Sequence, residues 1–582
     1  MAKKSSVVGI VGLGTVGEAL LALVRSAGYD VIGVDSELDV LARVDRRMKA
    51  ADAESGTEGG DGQGSWTLTD EVAALGAAML VIEAVPDEQS VKIDVLRRLD
   101  SVCPDRTVLV STASSVELTG LAFASARPAR TLGLRFARPP APGSAVEPVR
   151  TAMSCDDAIA ALDAVVADSG LAVKPLGARV GEDATPLVYA YLNRAVAMVE
   201  AGYADQKSVD TAMRLGCGLP AGPLETVDQM GLGTVHAKLL ALHASTGNAA
   251  YRPAPLLTTM VEAGLEGRAG GQGFYTYDAL GRPEDVPHSV TSAPADSAVR
   301  TVGVIGSGTM ARGIAEVTAS AGLPTVLVAR DRAKADLALA AIESSLAKSV
   351  ARGRRTPEAM ASVRALLTAA DDFAAVADCD VVIEATAEEL EVKRAVFATL
   401  GGVCRPGALL ATTTSSLSVA ACAEASGRDR DVLGLHFFNP APVMRLVEVV
   451  RAPRTSDQAL STANAFCAEL GKTAVPCGDR AGFIVNYLLF PYLVDAIRLL
   501  DRADVDPREL DAAVEDGFGY PMGPFKLLDT IGLDVSLAIL RRLSDEFPGP
   551  CYTPPAALEQ LVAGGHLGRK SGQGFLRTRR NP

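Results

Sequence analysis

Several segments of this 582-residue chain occur twice in similar form. Residues 382–393 read VIEATAEELEVK and residues 81–92 read VIEAVPDEQSVK, while GYPMGPFKLLDTIGL at 519–533 matches GLPAGPLETVDQMGL at 218–232. Both pairs lie 301 residues apart. Matches in one order at one spacing indicate a tandem duplication. The two halves should therefore fold into two copies of the same unit.

Each copy begins with short apolar runs that are separated by helix-like stretches. In the second copy these runs are TVGVIGSG, TVLVAR, DVVIEAT, ALLATTTSS and VLGLHFF. Continuous apolar strands that alternate with helices indicate a parallel sheet buried on both faces. After about residues 181 and 479 the strand pattern stops and a helical spacing of apolar residues follows. We expect an α/β Rossmann-type domain followed by an all-α helical domain, with this pair occurring twice.

The expected domain limits follow from where these patterns change. They are 1–180 and 300–478 for the two Rossmann-like domains, 181–280 and 479–582 for the two helical domains, and 281–299 for a linker rich in Pro, Ser and Asp. Residues 482–502 have the apolar spacing of one long helix, in which Pro491 should introduce a kink.

Charge and composition exclude several classes of partner. The net charge is −14 and the pI is about 5.1, so the surface repels nucleic acids and anionic membranes. No apolar run reaches the ~20 residues that cross a bilayer. The nine cysteines are scattered without C-x-x-C spacing, as in proteins with reduced thiols. We expect a cytoplasmic protein that binds no metal, nucleic acid or membrane.

The first copy carries a glycine loop between an apolar strand and a helix. Gly12, Gly14 and Gly17 permit a tight turn and a close approach of a pyrophosphate to the helix N-terminus. Asp35 ends the next strand and can accept hydrogen bonds from the ribose hydroxyls of NAD. The strand, helix and terminal Asp together predict a dinucleotide site that prefers NAD.

The second copy changes this pattern. It keeps Gly306 and Gly308, places the small Ala311 third, and ends the next strand with Ala329-Arg330 where the first copy ends with Val34-Asp35. No carboxylate repels a 2′-phosphate there, and the Arg330 guanidinium could bind one. NADP is therefore favoured over NAD in this copy, the alternative being a solvated Arg330 beside a weakened NAD site.

Six motifs of the second copy resemble those of the 3-hydroxyacyl-CoA dehydrogenases, including the 3-hydroxybutyryl-CoA type. In order they are GSGTMARGIA, TTSSLS, GLHFFNPAPVMRLVEVV, GFIVNYLL, GYPMGPF and GRKSGQGF. The resemblance covers residues 300–582 end to end and residues 5–280 more weakly. It implies reversible, NAD(P)-dependent hydride transfer at the 3-position of an acyl-CoA thioester, a step of fatty acid metabolism.

The resemblance also implies the catalytic residues. His436 would be the general acid/base and Glu448 its carboxylate partner, while Ser415, Asn439 and Asn486 would hydrogen-bond the oxygens of the substrate. A carboxylate beside an imidazole fixes its tautomer and stabilises the imidazolium, which suits proton transfer near neutral pH.

Further contacts are implied for the cofactor and for coenzyme A. Glu388 and Lys393 would contact the cofactor. Ser345 and Arg352, on a basic helix expected over 338–355, would contact coenzyme A, although a charge run can also be a solvated helix face. This chain departs from the family at one place, because Tyr487 follows the Asn of GFIVN where an Arg is usual.

The first copy has lost most of this polar set. A shift of 301 residues replaces His436 and Asn439 by Arg135 and Arg138 and retains only Ser114 and Glu147, and we place Tyr189 opposite Asn486. Arginine stays protonated and cannot act as the base. The stretch MKAADAESGTEGGDGQGS at 48–65 is expected to be an acidic, Gly-rich loop that cannot hold phosphates. Because family members pair through their helical domains, the resemblance implies an internal pseudo-dimer with one working site, either monomeric or part of a larger homo-oligomer.

Two other functions stay open at this point. A biosynthetic dehydrogenase could act on an acyl-carrier-protein thioester, whose acidic carrier would meet the basic helix. A non-catalytic dinucleotide-binding protein is the other alternative, and the joint presence of His436, Asn439, Glu448 and Asn486 argues against it.

Overall fold

The computed structural model describes residues 6–55, 62–113, 116–174, 184–284, 299–501 and 505–576. Within these ranges, each copy consists of an eight-stranded sheet followed by a group of helices. This confirms the α/β domain and helical domain, each occurring twice, that the repeated sequence predicts. Residues 285–298 of the predicted linker lie outside the described residues.

The first sheet has the strand order β3-β2-β1-β4-β5-β6-β7-β8, with only β6 and β7 antiparallel. Its strands are β1 (Val7–Val11), β2 (Asp30–Val34), β3 (Trp66–Thr69), β4 (Leu80–Glu83), β5 (Val108–Ser111), β6 (Thr131–Arg135), β7 (Ala145–Val149) and β8 (Ala172–Val173). The helices between them are α1 (Thr15–Ser26), α2 (Leu38–Ser55), α3 (Gln89–Val102), α4 (Leu118–Ala124) and α5 (Asp156–Asp168). The order reverses between β1 and β4, and such a reversal opens a crevice at the carboxyl ends of the strands.

The first helical domain comprises α6 (Thr185–Glu200), α7 (Gln206–Cys217), α8 (Pro223–Met230), α9 (Leu232–Thr246) and α10 (Pro255–Glu262). Helix α7 begins where the Asp205 carboxylate accepts the Ser208 N–H and ends at Gly218, whose φ is 70°. A side-chain cap at the start and a left-handed glycine at the end are strong helix-end signals.

The second sheet repeats the first, in the order β11-β10-β9-β12-β13-β14-β15-β16. Its strands are β9 (Val302–Ile305), β10 (Thr325–Val328), β11 (Leu367–Ala370), β12 (Val381–Glu384), β13 (Leu409–Thr412), β14 (Val432–Phe437), β15 (Leu446–Arg451) and β16 (Thr473–Gly478). Its helices are α11 (Thr309–Ser320), α12 (Arg332–Ala351), α13 (Pro357–Ala365), α14 (Leu390–Val403), α15 (Val419–Ser426) and α16 (Asp457–Glu469). The second helical domain comprises α17 (Val485–Leu499), α18 (Pro507–Phe518), α19 (Pro524–Ile531), α20 (Leu533–Glu546) and α21 (Ala556–Ala563).

The two helical domains pack against each other and share one hydrophobic core. Helix α6 lies along α17, where the rings of Tyr191 and Tyr492 are 6.0 Å apart between centroids. Helix α7 of the first copy also packs on β15 and β16, and a Cβ on Gly216 would lie 2.9 Å from Val485 of the second copy. Each copy thus covers part of the other, as in a dimer built into one chain.

Three local expectations were wrong. Helix α2 continues to Ser55, so the start of the stretch expected as a loop at 48–65 is helical, and Met48 is buried. Helix α12 ends at Ala351, before the last residues of the helix expected over 338–355. The helix expected over 482–502 spans only Val485–Leu499, with Pro491 inside it.

Candidate active site

The glycine loop of the second copy lies between β9 and α11. Gly306 has a φ of 130°, and a side chain there would clash with the Ala385 carbonyl. Gly308 precedes α11 and has no atom within 4 Å of where its Cβ would be. No side chain caps the N-terminus of α11, so its first N–H groups face open space, which suits a pyrophosphate.

The first copy has the same loop with a tighter third position. Gly12 has a φ of 85°, and a Cβ on Gly17 would clash with the Gly12 carbonyl. Gly14, like Gly308, borders open space. The Asp35 carboxylate accepts the N–H of Leu13 at 2.7 Å and that of Glu37 at 3.0 Å. Asp35 therefore braces the loop as well as standing beside the crevice.

The sheet register corrects the alignment of Arg330. Val11 pairs with Val34 in the first sheet, and Ile305 pairs with Val328 in the second. The counterpart of Asp35 is therefore Ala329, and not Arg330 as the sequence comparison had it. The side chain of Arg330, one residue further on, is 78% exposed and lies 3.6 Å from Asp331.

Lys393 forms a buried ion pair with Glu384, a residue that sequence reasoning missed, and Glu388 lies beside this pair. Lys393 Nζ donates to both oxygens of Glu384, at 2.8 and 3.0 Å, and both residues are fully buried. Glu388 accepts the hydroxyl of Thr414 at 2.6 Å and the N–H of Ser415 at 2.8 Å. These bonds join the loop after β12 to the loop after β13. The available signal for Glu384 was a carboxylate at the end of an otherwise apolar strand.

His436 and Glu448 face each other across the antiparallel strands β14 and β15, at directly paired positions. His436 Nδ1 lies 2.6 Å from Glu448 Oε2. Glu448 is fully buried, and its Oε1 accepts the N–H groups of Ile484 and Val485 at 3.0 Å each. The carboxylate therefore links the histidine to the first turn of α17.

Two aromatic rings flank the imidazole, and the predicted polar residues follow neighbouring elements. The ring of Phe438 is 4.6 Å and that of Phe483 is 5.4 Å from the His436 ring, between centroids. Ser415 follows β13, the parallel neighbour of β14, while the exposed Asn439 follows β14 itself. Asn486 is 8% exposed and adjoins Val485 in the first turn of α17. The predicted catalytic residues thus lie at one edge of the sheet.

The predicted coenzyme A residues belong to α12 and to the residue that follows it. Ser345 is exposed on α12, and Arg352 is exposed directly after this helix. Burial raises the pKa of Glu316 on α11, although a hydrogen bond from Ser345 and the charge of Arg355 oppose the rise. Arg355 also donates to Ser320 at 3.1 Å.

The first copy keeps the strand frame of the site without its base. Arg135 and Glu147 occupy the paired positions on β6 and β7, with 3.7 Å between Nη1 and Oε2. Arg138 packs against Gly519 of the second copy, and burial lowers its pKa. The counterpart of Asn486 is Thr185 and not Tyr189, because the 301-residue shift leads to Thr185 and α6 begins there as α17 begins at Val485. Tyr189 is buried one turn further along α6, and burial raises its pKa. Ser114 lies outside the described residues.

Tyr487 stands where the family usually has arginine, and its ring faces a different arginine. The guanidinium carbon of Arg480 lies 3.7 Å from the centroid of the Tyr487 ring. The Tyr487 carbonyl accepts the hydroxyl of Tyr552 at 3.0 Å. The start of α17 is thus anchored by ring contacts, and sequence reasoning gave no sign of Arg480.

Membrane-spanning helices and clusters of metal ligands are absent from the described part of the chain. No helix there is long and apolar enough to cross a membrane. No group of three or more His, Cys, Asp or Glu side chains in these residues could hold a metal ion.

Known proteins resemble each half of the chain. The NAD-binding domain of 3-hydroxyacyl-CoA dehydrogenase matches residues 7–173 and 301–480, and the C-terminal domain of the same enzyme family matches residues 184–277 and 482–578. The 3-hydroxybutyryl-CoA dehydrogenase of Mycobacterium tuberculosis is 41% identical over 280 residues, which are 48% of this chain and 98% of that protein.

Two more proteins illustrate the likeness. The 3-hydroxyadipyl-CoA dehydrogenase of Escherichia coli is 43% identical over 277 residues, 47% of this chain and 58% of that protein. The solved (S)-3-hydroxybutyryl-CoA dehydrogenase of Ralstonia eutropha is 35% identical with a TM-score of 0.47, over 48% of this chain and all of that one. Since both family domains match twice and together cover most of the sequence, this chain belongs to the 3-hydroxyacyl-CoA dehydrogenase family of NAD-dependent oxidoreductases.

Proposed function

We propose that the second copy catalyses reversible hydride transfer between a nicotinamide cofactor and the C3 position of a 3-hydroxyacyl-CoA or 3-oxoacyl-CoA thioester. The observation that carries this proposal is the 2.6 Å contact between His436 Nδ1 and Glu448 Oε2. The names of the relatives from Mycobacterium tuberculosis and Escherichia coli, both 3-hydroxyacyl-CoA dehydrogenases, support the same substrate class here.

His436 is the general base of this reaction. With Nδ1–H donating to Glu448, Nε2 remains as the nitrogen that takes the proton of the 3-hydroxyl during oxidation. In the reverse direction the imidazolium returns that proton to the 3-oxo oxygen. Glu448 stabilises the imidazolium and cannot turn away, because the N–H groups of Ile484 and Val485 hold its other oxygen.

Ser415, Asn439 and Asn486 hold the oxygens of the substrate beside His436. They reach the same sheet edge from the loops after β13 and β14 and from the start of α17. Their hydroxyl and amide groups donate hydrogen bonds, and so they favour a thioester whose 3-oxygen carries partial negative charge in the transition state. Ser345 and Arg352 contact the coenzyme A moiety.

The residues of the second glycine loop fit a dinucleotide, because the space beside Gly308 and the uncapped end of α11 leave room for a pyrophosphate. Gly306, Gly308 and Glu388 would hold it, while Ala311 and Lys393, predicted as further contacts, are fully buried and support the surrounding loops. When bound, the nicotinamide accepts or donates the hydride. We further propose that this copy uses NADP(H) as well as NAD(H), because Ala329 removes the carboxylate that would repel a 2′-phosphate and Arg330 offers an exposed cation nearby.

The first copy binds NAD through Gly12, Gly14, Gly17 and Asp35 without turnover. Its uncapped α1 and the open space at Gly14 match the second copy. However, Arg135 takes the place of the base, and an arginine keeps its proton at any working pH. Each chain therefore has one acyl-thioester site, in the second copy. The domain limits are those predicted from the sequence, and the protein acts in the cytoplasm.

The test is an absorbance assay at the reduced-nicotinamide band with acetoacetyl-CoA as substrate. NADH and NADPH are compared in parallel, and acetoacetyl thioester on acyl-carrier protein is offered as the competing substrate. We expect turnover with the coenzyme A thioester. Turnover with the acyl-carrier-protein thioester alone would show that the carrier is this protein and not coenzyme A. Binding of both cofactors without any turnover would contradict the enzymatic function.

A further inference from the structure

Arg480 lies between two tyrosine rings, one from each copy. Its guanidinium carbon is 3.4 Å from the centroid of the Tyr203 ring and 3.7 Å from that of Tyr487. Tyr203 belongs to the loop between α6 and α7 of the first copy, and its hydroxyl donates to the Gly478 carbonyl at 2.7 Å. The Nε atom of Arg480 is buried without a hydrogen-bond partner among the described residues. The two ring faces therefore provide much of the stabilisation of this cation.

The segment that begins at Arg480 leads directly to the catalytic pair. Arg480 donates to the Phe483 carbonyl at 3.3 Å, and the Phe483 N–H donates to the Arg480 carbonyl at 3.1 Å. The next two N–H groups, of Ile484 and Val485, bind Glu448. Phe483 itself has a φ of 48°, a strained value for a bulky residue. Such a conformation persists only where the surroundings fix it, and the stack on Arg480 is part of those surroundings.

The stack serves only the working site. By the 301-residue shift, the counterpart of Tyr203 is Asp504 and that of Tyr487 is Pro186, while Arg480 corresponds to Arg179. Neither aspartate nor proline has an aromatic face. The aromatic pair therefore lies next to the site that contains His436. The sequence has no equivalent pair next to the Arg135 site of the first copy.

We propose that Tyr203 is a positioning residue, through which the silent first copy orients the His436–Glu448 pair of the second. Tyr203 fixes Gly478 by its hydroxyl and Arg480 by its ring. The turn from Arg480 to Phe483 then presents the two N–H groups that hold Glu448, and Glu448 holds His436. This inference rests on the proposed function, and it gives the silent copy a role in catalysis beyond packing.

The decisive variant is Tyr203→Leu, which removes the ring and the hydroxyl but keeps an apolar side chain. Because a misplacement of ~1 Å can cost ~10²-fold in rate, we expect kcat for acetoacetyl-CoA reduction to fall by about tenfold to a hundredfold. The KM for acetoacetyl-CoA should change little, since Tyr203 is not proposed to touch the substrate. Tyr203→Phe keeps the ring over Arg480, and its kcat should lie closer to wild type than to Tyr203→Leu.

Tyr191→Phe is the matched control. It removes another buried tyrosine hydroxyl of the first copy, one that has no hydrogen-bond partner among the described residues and that lies in α6. Its kcat should stay at the wild-type value. An unchanged kcat in Tyr203→Leu, or equal losses in Tyr203→Leu and Tyr191→Phe, would overturn the proposal. If Tyr203→Leu does not fold, Tyr487→Leu removes the other ring and should give the same split between kcat and KM.

Amide hydrogen exchange separates this inference from the proposed function. Tyr203→Leu should speed the exchange of the Ile484 and Val485 amides and leave the amides of α12 unchanged. Faster exchange can be measured even if acetoacetyl-CoA is not turned over. In that case the proposed function is wrong, but the structural link from Tyr203 through Arg480 to Glu448 is supported. Unchanged exchange at Ile484 and Val485 would overturn the link itself.

Discussion

Arg194 of α6 and Asp495 of α17 occupy the same position in the two copies, 301 residues apart, and bind each other at 2.6 Å. Burial opposes the charge on Arg194, but the charge and hydrogen bond of Asp495 outweigh it and raise the Arg194 pKa. In a dimer of identical chains, one residue at this position would face its own copy with the same charge. Duplication has allowed the two sides to become complementary.

This contact predicts a charge-swap experiment. Arg194→Asp places two carboxylates at the interface and should lower the free energy of unfolding by roughly 2–3 kcal/mol, as expected for the loss of a charged, partly buried hydrogen bond. The double variant Arg194→Asp with Asp495→Arg should recover at least half of the loss. Urea unfolding checks both, and a double variant no more stable than the single one would contradict the pairing.

The assignment of the base predicts unequal effects of two equivalent substitutions. His436→Ala should lower turnover at least ~10²-fold, the lower end of what a general base contributes. Arg135→Ala, at the same position of the first copy, should leave turnover close to wild type. Steady-state assays with acetoacetyl-CoA provide the measurement. Comparable losses from both substitutions would mean that the two copies share one site.

The sheet register sharpens the prediction for cofactor choice. Ala329→Asp restores a carboxylate at the position of Asp35. It should weaken the binding of NADPH at least ~10-fold more than the binding of NADH, because the carboxylate repels the 2′-phosphate. Arg330→Ala removes an exposed cation and should also weaken NADPH more than NADH, by a smaller factor. Competitive titrations with both reduced cofactors check this. Tight NADH use by the unmodified protein with no NADPH use would reject it.

The silent site is testable without turnover. Gly14 has space around its Cβ position and a φ of −68°, so Gly14→Asp should fold while its carboxylate repels a pyrophosphate. In a His436→Ala background, the Gly14→Asp substitution should lower the number of NAD molecules bound per chain, measured by calorimetric titration, from two to one. At a hundredfold excess over the dissociation constant, NAD at that site should add about 2.7 kcal/mol of stability. Identical titrations before and after Gly14→Asp would mean that the first copy binds no cofactor.

Asp210 predicts how stability depends on pH. Burial raises its pKa to about 7 from an ordinary 3.8, even though the N–H groups of Leu224 and Glu225 and the Tyr275 hydroxyl bind it. The folded state therefore holds a proton that the unfolded state has released, and Asp210 makes the free energy of unfolding fall as pH rises from about 4 to 7.

Urea unfolding at several pH values tests this sign. The stability advantage of wild type over Asp210→Asn should shrink between pH 5 and pH 7 and stay constant above. Asp371→Asn, at an exposed position, serves as the control and should show no such trend. An advantage that grows with pH across this range would show that the carboxylate is stabilised in the folded state and that the sign is wrong.

Strongly patterned features were predictable from the sequence. The buried strands β9, β12 and β13 have continuous apolar runs, and the 301-residue repeat indicates which residues of the two copies correspond from β4 and β12 onward. The repeat also placed His436 and Glu448 opposite Arg135 and Glu147, which the strand pairing bears out. The edge strands β3 and β8 did not stand out, because they are partly exposed and so have no continuous buried apolar run.

The remaining differences have local physical causes. The alignment of Arg330 with Asp35 slipped by one residue because Val34 and Ala329 are both small and apolar. The 294-residue spacing of Gly12 and Gly306 already pairs Asp35 with Ala329, and the strand register agrees. The contact of Tyr203 with Arg480 joins residues 275 or more positions apart, so no local pattern reports it. Glu384 was overlooked because its partner Lys393 was interpreted as a cofactor contact, whereas the ion pair allows both to be buried.

The packing of α6 against α17 occurs within one molecule. Two modules joined in one chain stay at an effective concentration that can reach about the millimolar range, so the copies re-form their contact far faster than they could meet as separate chains. The loss of translational and rotational freedom that opposes the association of two free proteins is largely absent here. Dilution, which separates the subunits of an ordinary dimer, therefore leaves Tyr203 in place beside Arg480.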